Sequence, residues 1–221
     1  MDYFNKEERA EQRAFTAARD RLFSPVVTVL MAAGATPNHV SIAGILFLLL
    51  VCLFPPSMAL WATGCMALYV LCDGLDGPLA RRLGQAHAGG SLIDIVADQL
   101  GVVFLSAAAI DHFAAWGPAM VLFACSYLIF IGLAVYANGL GVELRKFVRS
   151  KYLFFLLYLG SLFLRRDLVT YFCGAFALYY SVESVAALRR IYRFHDDRAG
   201  TGRKAENGRT TPPPKGAKKA G

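Results

Sequence analysis

The sequence predicts an all-α polytopic membrane protein, with six transmembrane helices preceded by an N-terminal amphipathic interfacial helix. Three observations carry that prediction. The 221 residues are 56% hydrophobic and only 18% charged, against ~45–50% and ~25% in soluble domains. Six apolar segments of roughly membrane-span length follow one another. Of the 23 Lys and Arg residues, only Arg165 and Arg166 fall on the far side of the membrane that those segments define. This composition argues against a soluble enzyme, a disordered chain and a disulfide-stapled secreted domain. Cys52, Cys65, Cys72, Cys125 and Cys173 all sit in apolar stretches, with no Cys-x-x-Cys pair. They read as small buried hydrophobes rather than a disulfide framework or a zinc site.

Residues 1–14 are polar and of mixed charge, without the basic-then-apolar pattern of a signal peptide. Phe15, Leu22, Val26 and Leu30 then recur at helical spacing beside Arg13, Arg19 and Arg21. This pattern predicts an amphipathic helix pair on the membrane surface. Ser24-Pro25 reads as the start of its second member, with Ser as N-cap and Pro in the first turn. Gly34 reads as its stop.

The apolar segments are roughly 39–54, 57–81, 91–110, 116–138, 150–164 and 168–188. A span of ~30 Å of hydrocarbon needs ~20 residues, so the first and fifth are short. Pro55-Pro56 and Trp116-Gly117-Pro118 mark turns, and Asp167 is placed to cap the last helix. Six spans put both termini on one side. That side carries Lys6 to Arg21, Arg81, Arg82, Arg145, Lys146, Arg149, Lys151 and the ten basic residues from Arg189 to Lys219. By the positive-inside rule it is cytoplasmic. Topology thus explains the net charge of +7, and no nucleic-acid partner is needed. Three regions follow: a cytoplasmic N-terminus with its juxtamembrane helix (1–38), a six-helix transmembrane catalytic domain (39–190), and a basic tail without structure (191–221).

Four acidic residues fall inside the apolar segments: Asp73 and Asp76 late in the second, Asp94 and Asp98 early in the third. An Asp at mid-span costs ~2.5–3.5 kcal/mol on insertion scales. Helix caps would account for Asp73 or Asp94 singly, but not for four. At 100° per residue, Asp73, Asp76, Gly77 and Ala80 share one helix face, and Gly90, Asp94 and Asp98 share another. The two segments are antiparallel across a short loop, so both pairs sit at similar depth. Four converging carboxylates suit hard divalent cations, Mg²⁺ or Mn²⁺. Two such ions side by side are a standard device of phosphoryl chemistry. Gly77 and Ala80 leave room for a ligand against the backbone, and Arg81 offers bidentate donors to phosphate. Pro78 removes one backbone bond, freeing the Gly74 carbonyl.

Read as a motif, residues 73–98 give D-x-x-D-G-x-x-A-R-x8-G-x-x-x-D-x-x-x-D. This is similar, position for position, to the signature of the CDP-alcohol phosphotransferases (CDP-alcohol phosphatidyltransferases), class I integral membrane enzymes. Pro37-Asn38-His39-Val40-Ser41 resembles the Pro-Asn-x-x-(Ser/Thr) segment that opens the first membrane helix of that family. In architecture the resemblance covers about residues 15–190. It implies a phosphatidyltransferase of phospholipid biosynthesis that moves the phosphatidyl group of CDP-diacylglycerol to a small alcohol and releases CMP. It further implies that Asp73, Asp76, Asp94 and Asp98 hold two Mg²⁺ or Mn²⁺ ions, with Asp98 also the general base. Asn38, Ser41, Asp73, Gly77, Ala80 and Arg81 would contact the CDP-lipid. Asn38 has a second reading as the N-cap of the first span. A bacterial inner membrane, surrounding lipids and a homodimer are the setting the family implies.

The acceptor is less legible. Arg145, Arg149 and Lys151 offer cations for the phosphate of glycerol 3-phosphate or an inositol phosphate. Ordinary positive-inside charge explains each of them equally well. Members of the family with phosphorylated acceptors often carry a basic residue near the end of the fourth span, where this chain has Tyr136-Ala137-Asn138. Free inositol, serine and other alcohols therefore stay open. Glu183, inside the sixth segment, reads as the partner of an arginine or as an acceptor contact, and His87 as a loop residue. A divalent-cation transporter also buries acids in membrane helices, but would place them at mid-membrane and away from a fixed cation such as Arg81.

Overall fold

The computed structural model describes the backbone of residues 6–85 and 88–210, and the side chains of 16, 18–85, 93 and 95–198. Its helices are α1 (Lys6–Ala32), α2 (Pro37–Leu53), α3 (Ala59–Arg82), α4 (Ala88–Phe113), α5 (Gly117–Gly139), α6 (Lys151–Leu164) and α7 (Val169–Thr210). A 3₁₀ turn at Pro56–Met58 joins α2 to α3. No strand occurs among the described residues.

The helix ends follow from local chemistry. At Gly34 the chain turns left-handed (φ +71°). There the amides of Gly34 and Ala35 bond the carbonyls of Met31 and Leu30, a Schellman stop that a glycine adopts without a Cβ clash. Gly84 and Gly141 stop α3 and α5 in the same way. The Asp167 carboxylate accepts bonds from the amides of Val169 and Thr170, at 2.9 and 3.0 Å, and so caps α7.

Three expectations are corrected. The N-terminal helix pair is one continuous helix, with Pro25 inside α1. The proline removes only the bond to the Arg21 carbonyl, and Ser24 serves as a contact for α3 rather than as a cap. The N-cap of α2 is Thr36, not Asn38: its hydroxyl accepts from the His39 amide while the His39 ring accepts from the Thr36 amide. Pro37 at the first helical position, with no N–H to satisfy, fixes that register. The tail expected to lack structure from 191 is helical as far as Thr210. Its Ala, Arg, Lys and Glu residues favour helix, and no proline interrupts it before Pro212.

Among the described residues, four helices are long and apolar enough to cross a membrane. The count is five if residues 18–32 and α2, which meet at a 106° bend, form one broken span. α6 is apolar but only 14 residues long, about 21 Å at 1.5 Å per residue. The outside of the bundle is apolar, with Leu46, Leu60, Trp61, Leu122, Leu156, Leu178 and Val182 all exposed, as lipid contact requires.

The main core lies between α2–α7. Phe123, Phe130, Phe154, Tyr158 and Tyr180 are almost fully buried there, and Tyr127 and Tyr180 meet edge to face at 5.3 Å. A second, smaller core of Val27, Val40, Leu75 and Leu79 fastens α1 to α2 and α3, with Phe23 packed over Gly74.

α2 approaches α3 closely at Gly44, where an added Cβ would lie 3.1 Å from Cys72 Cβ. That neighbour is rooted in the α3 backbone and cannot rotate aside. Gly44→Val is expected to separate the two helices and cost about 1–3 kcal/mol, read as a lower melting temperature in detergent with helix content retained.

Candidate active site

α3 carries Tyr69, Asp73, Asp76, Gly77, Ala80 and Arg81 on successive turns, and α4 carries Gly90, Asp94 and Asp98. The helix pairs that pack closely here are α2 with α3 and α4, and α6 with α3 and α4; α3 and α4 have little backbone contact with each other. Side chains bridge them instead. The Tyr69 hydroxyl donates to Asp98 Oδ1 at 3.2 Å, so the expected approach of the two carboxylate pairs holds for Asp73 and Asp98. Asp94 lies on α4, but its side chain is outside the described residues, as is His87.

The group that joins the carboxylates comes from α6. Lys151, its first residue, is only 5% exposed. Its ammonium donates to Asp98 Oδ1 and lies 3.5 Å from Asp73 Oδ1. The rings of Tyr152, Tyr69 and Phe155 surround it at 4.7, 5.7 and 6.0 Å, a cation–π cage. Tyr152 also donates to Asp73 Oδ2 at 3.0 Å. The irregular segment before α6 is pinned to α7: the Tyr179 hydroxyl accepts from the Val148 amide, and Tyr180 donates to the Val148 carbonyl while its oxygen lies 2.8 Å from Ser150 Oγ. Two tyrosines on α7 thereby set where Lys151 enters the site.

Asp76 faces the other way, toward α2. Its Oδ1 accepts from the Gly77 amide at 2.6 Å, and its Oδ2 lies 3.0 Å from Ser41 Oγ. Ser41 has one proton, and the Pro37 carbonyl at 3.2 Å competes for it. Ser41 is thus brought to the aspartates, whereas Asn38 is exposed on the first turn of α2.

Arg81 and its neighbour Arg82, at the end of α3, meet α1. Arg81 donates through Nε to Asp20 Oδ2 at 2.9 Å and through Nη2 to Asp20 Oδ1, a bidentate pair. Arg82 donates to the Thr28 hydroxyl at 2.8 Å and to the Ser24 hydroxyl. A cleft of about 420 Å³ opens here, lined by Asp20, Arg21, Ser24, Val27, Pro78 and Arg82.

The three basic residues considered for the acceptor are not equivalent. Residues 142–150 are irregular, so Arg145 and Arg149 share no helical face, and both are exposed. Arg145 lines a gap of about 10 Å³ with Glu183 and Arg190, room for about one water. Tyr136 lies against His195 of α7, with Tyr136 Oη and His195 Nε2 3.2 Å apart. Lys151 reaches Asp73 and Asp98. Its part, and those of Tyr69, Tyr152 and Asp20, were not read from the sequence. Tyr69 stands four residues before Asp73, on the same face, and Lys151 is the lone charge at the head of an apolar helix, so both left a signal.

Among the described residues, no three His, Cys, Asp or Glu side chains converge as a complete metal site. The donors that do gather are carboxylate oxygens, the chemistry Mg²⁺ and Mn²⁺ take. Among the described residues, Asp73, Asp76 and Asp98 gather with the ammonium of Lys151, so the charge balance also fits a divalent ion. Lys151→Met should leave Asp73 and Asp98 without their cation. The metal-free protein is expected to lose up to about 3 kcal/mol, measured as a lower melting temperature in EDTA that added Mn²⁺ partly restores.

Residues 34–185 match the model of the CDP-alcohol phosphatidyltransferase family. The phosphatidylinositol phosphate synthase of Mycolicibacterium smegmatis is 34% identical over 87 residues, 38% of this chain and 39% of that protein. The phosphatidylinositol phosphate synthase of Cutibacterium acnes is 28% identical over 121 residues, 52% of this chain and 58% of that one. The chain thus spans about two fifths to three fifths of the length of these curated relatives. The crystal structure of Mycobacterium tuberculosis phosphatidylinositol phosphate synthase in complex with manganese and citrate superposes with a TM-score of 0.64 at 17% identity, over 76% of this chain and 88% of that one. That likeness establishes a shared fold. With the family model matched across more than half of its length, this chain belongs to the CDP-alcohol phosphatidyltransferase family.

Proposed function

We propose that the chain transfers the phosphatidyl group of CDP-diacylglycerol to the hydroxyl of a phosphorylated inositol and releases CMP. The observation that carries the reading is the gathering of Asp73 and Asp98 from α3 and α4 around one buried cation, within the family's complete motif. The acceptor rests on the relatives, which are phosphatidylinositol phosphate synthases by name.

Asp73, Asp76, Asp94 and Asp98 would hold two Mg²⁺ or Mn²⁺ ions. When bound, such ions neutralise the pyrophosphate and stabilise the departing CMP. The protein's own groups do the rest. Asp98 accepts the proton of the acceptor hydroxyl as the new O–P bond forms and the bond from phosphorus to the CMP oxygen breaks. Tyr69 holds that carboxylate in place by its hydrogen bond. Ser41 orients Asp76. Gly77 and Ala80 let the nucleotide approach the α3 backbone, and Arg81 receives a phosphate oxygen. Arg145 and Arg149 offer charge to the acceptor phosphate from the loop that leads into Lys151.

The membrane topology that suits this reaction has six spans, counting α2 and α6 among them, with both termini cytoplasmic in a bacterial inner membrane. The distribution of Lys and Arg supports it. The lipid tails then stay in the bilayer while nucleotide and acceptor arrive from the cytoplasm.

The test is CMP release by purified protein with CDP-diacylglycerol and Mg²⁺ or Mn²⁺, against a panel of inositol phosphate, glycerol 3-phosphate, inositol and serine. CMP with inositol phosphate alone is the expected result, and CMP with another single acceptor would replace the acceptor named here. Binding of CDP-diacylglycerol with no CMP from any acceptor would remove the transferase reading. Asp98→Asn is expected to cut turnover by at least about 10²–10⁴-fold while CDP-lipid binding persists. Loss of both together would make Asp98 chiefly a metal ligand.

A further inference from the structure

α1 was read from the sequence as a membrane-surface helix, yet it delivers a cation into the site. A Cβ built on Gly77 would lie 3.0 Å from Arg19 Nη2 and 3.3 Å from Arg81 Nη1. Two guanidinium groups therefore converge over the bare backbone of the residue that follows Asp76. Their situations differ. Arg81 is engaged by Asp20, whereas Arg19 Nε is buried and has no hydrogen-bond partner. A buried donor without a partner is costly and rare in a native structure. It becomes reasonable where a ligand supplies the missing acceptor.

The ligand chemistry follows from the setting. Paired guanidinium groups over a position without a side chain form a cradle for phosphate oxygens. Phe23 over Gly74 and the buried Val27 fix α1 against α3, so Arg19 is placed by packed neighbours on its own helix.

We infer that Arg19 is a substrate-binding residue, whose guanidinium takes a phosphate oxygen of the CDP-lipid over Gly77 beside Arg81. The inference rests on the phosphatidyltransferase reading and extends the site from the motif on α3 and α4 to the N-terminal helix. α1 then closes the phosphate end of the donor site.

The experiment compares Arg19→Gln and Arg19→Lys with the parent protein in mixed micelles. It measures turnover, equilibrium binding of CDP-diacylglycerol and melting temperature without ligand. Loss of a charge-assisted contact to phosphate corresponds to roughly 10–100-fold in affinity. For Arg19→Gln the expected result is a rise of that size in KM and Kd for CDP-diacylglycerol. The KM for the acceptor should stay within about twofold and the ligand-free melting temperature should be unchanged, with Arg19→Lys recovering part of the loss. An unchanged CDP-lipid affinity would overturn the inference. So would a rise confined to the acceptor KM, or a weakened affinity that appears only when anionic lipid is present. If Arg19→Gln fails to fold, the Lys variant decides: wild-type CDP-lipid affinity and a lowered melting temperature would assign Arg19 a structural role. Because binding is read beside turnover, a parent protein that binds CDP-lipid without releasing CMP defeats the transferase reading and still tests Arg19.

Discussion

The structure depends on neutralising partly buried carboxylates where α3, α4 and α6 meet. Asp73 and Asp98 are drawn to one point by Lys151. An ammonium in that position must itself be desolvated, and three aromatic rings and two carboxylates replace its water. This arrangement constrains distant parts of the chain. The loop before α6 has to end at the right place, and the hydroxyls of Tyr179 and Tyr180 on α7 hold it there. Those tyrosines sit in the aromatic core that joins α5 to α7, so packing on one side of the bundle positions a charge on the other.

The same requirement explains the interhelical spacing. Among the described residues α3 and α4 have little backbone contact with each other, and α2 and α6 brace both. α2 can do so because Gly44 lets it approach Cys72 and Tyr69, and Gly101 on α4 meets Leu48 and Phe155. Tyr69 then reaches across to Asp98. Close packing on the flanks leaves the polar groups of α3 and α4 to meet through side chains, which suits the ion and pyrophosphate site proposed here.

α1 joins this framework through its own small core and through polar contacts. Asp20 pairs with Arg81, and Ser24 and Thr28 receive Arg82. Both arginines at the end of α3 are thereby held by a helix outside the motif. A helix with an apolar face toward α2 and α3 and polar contacts to the ends of α3 is suited to lie at the boundary between bilayer and water.

Composition, hydrophobic periodicity and the placement of Lys and Arg determined the all-helical membrane class, and apolar segment boundaries fell within a few residues of helices α2–α6 and of the start of α7. These features are local: burial in lipid demands long apolar runs, and glycines and prolines mark where the runs end. The motif from Asp73 to Asp98 was legible for the same reason, since helical spacing puts its residues on fixed faces. What the sequence left undetermined is non-local. That Pro25 is accommodated within one helix, that Thr36 rather than Asn38 caps α2, and that α7 runs on to Thr210 depend on which competing local bonds are made. That Lys151 enters between Asp73 and Asp98, that Asp20 holds Arg81, and that Arg19 reaches Gly77 were decided only by tertiary structure. Each joins residues more than 50 positions apart, and no periodicity along a chain encodes which two helices will stand side by side.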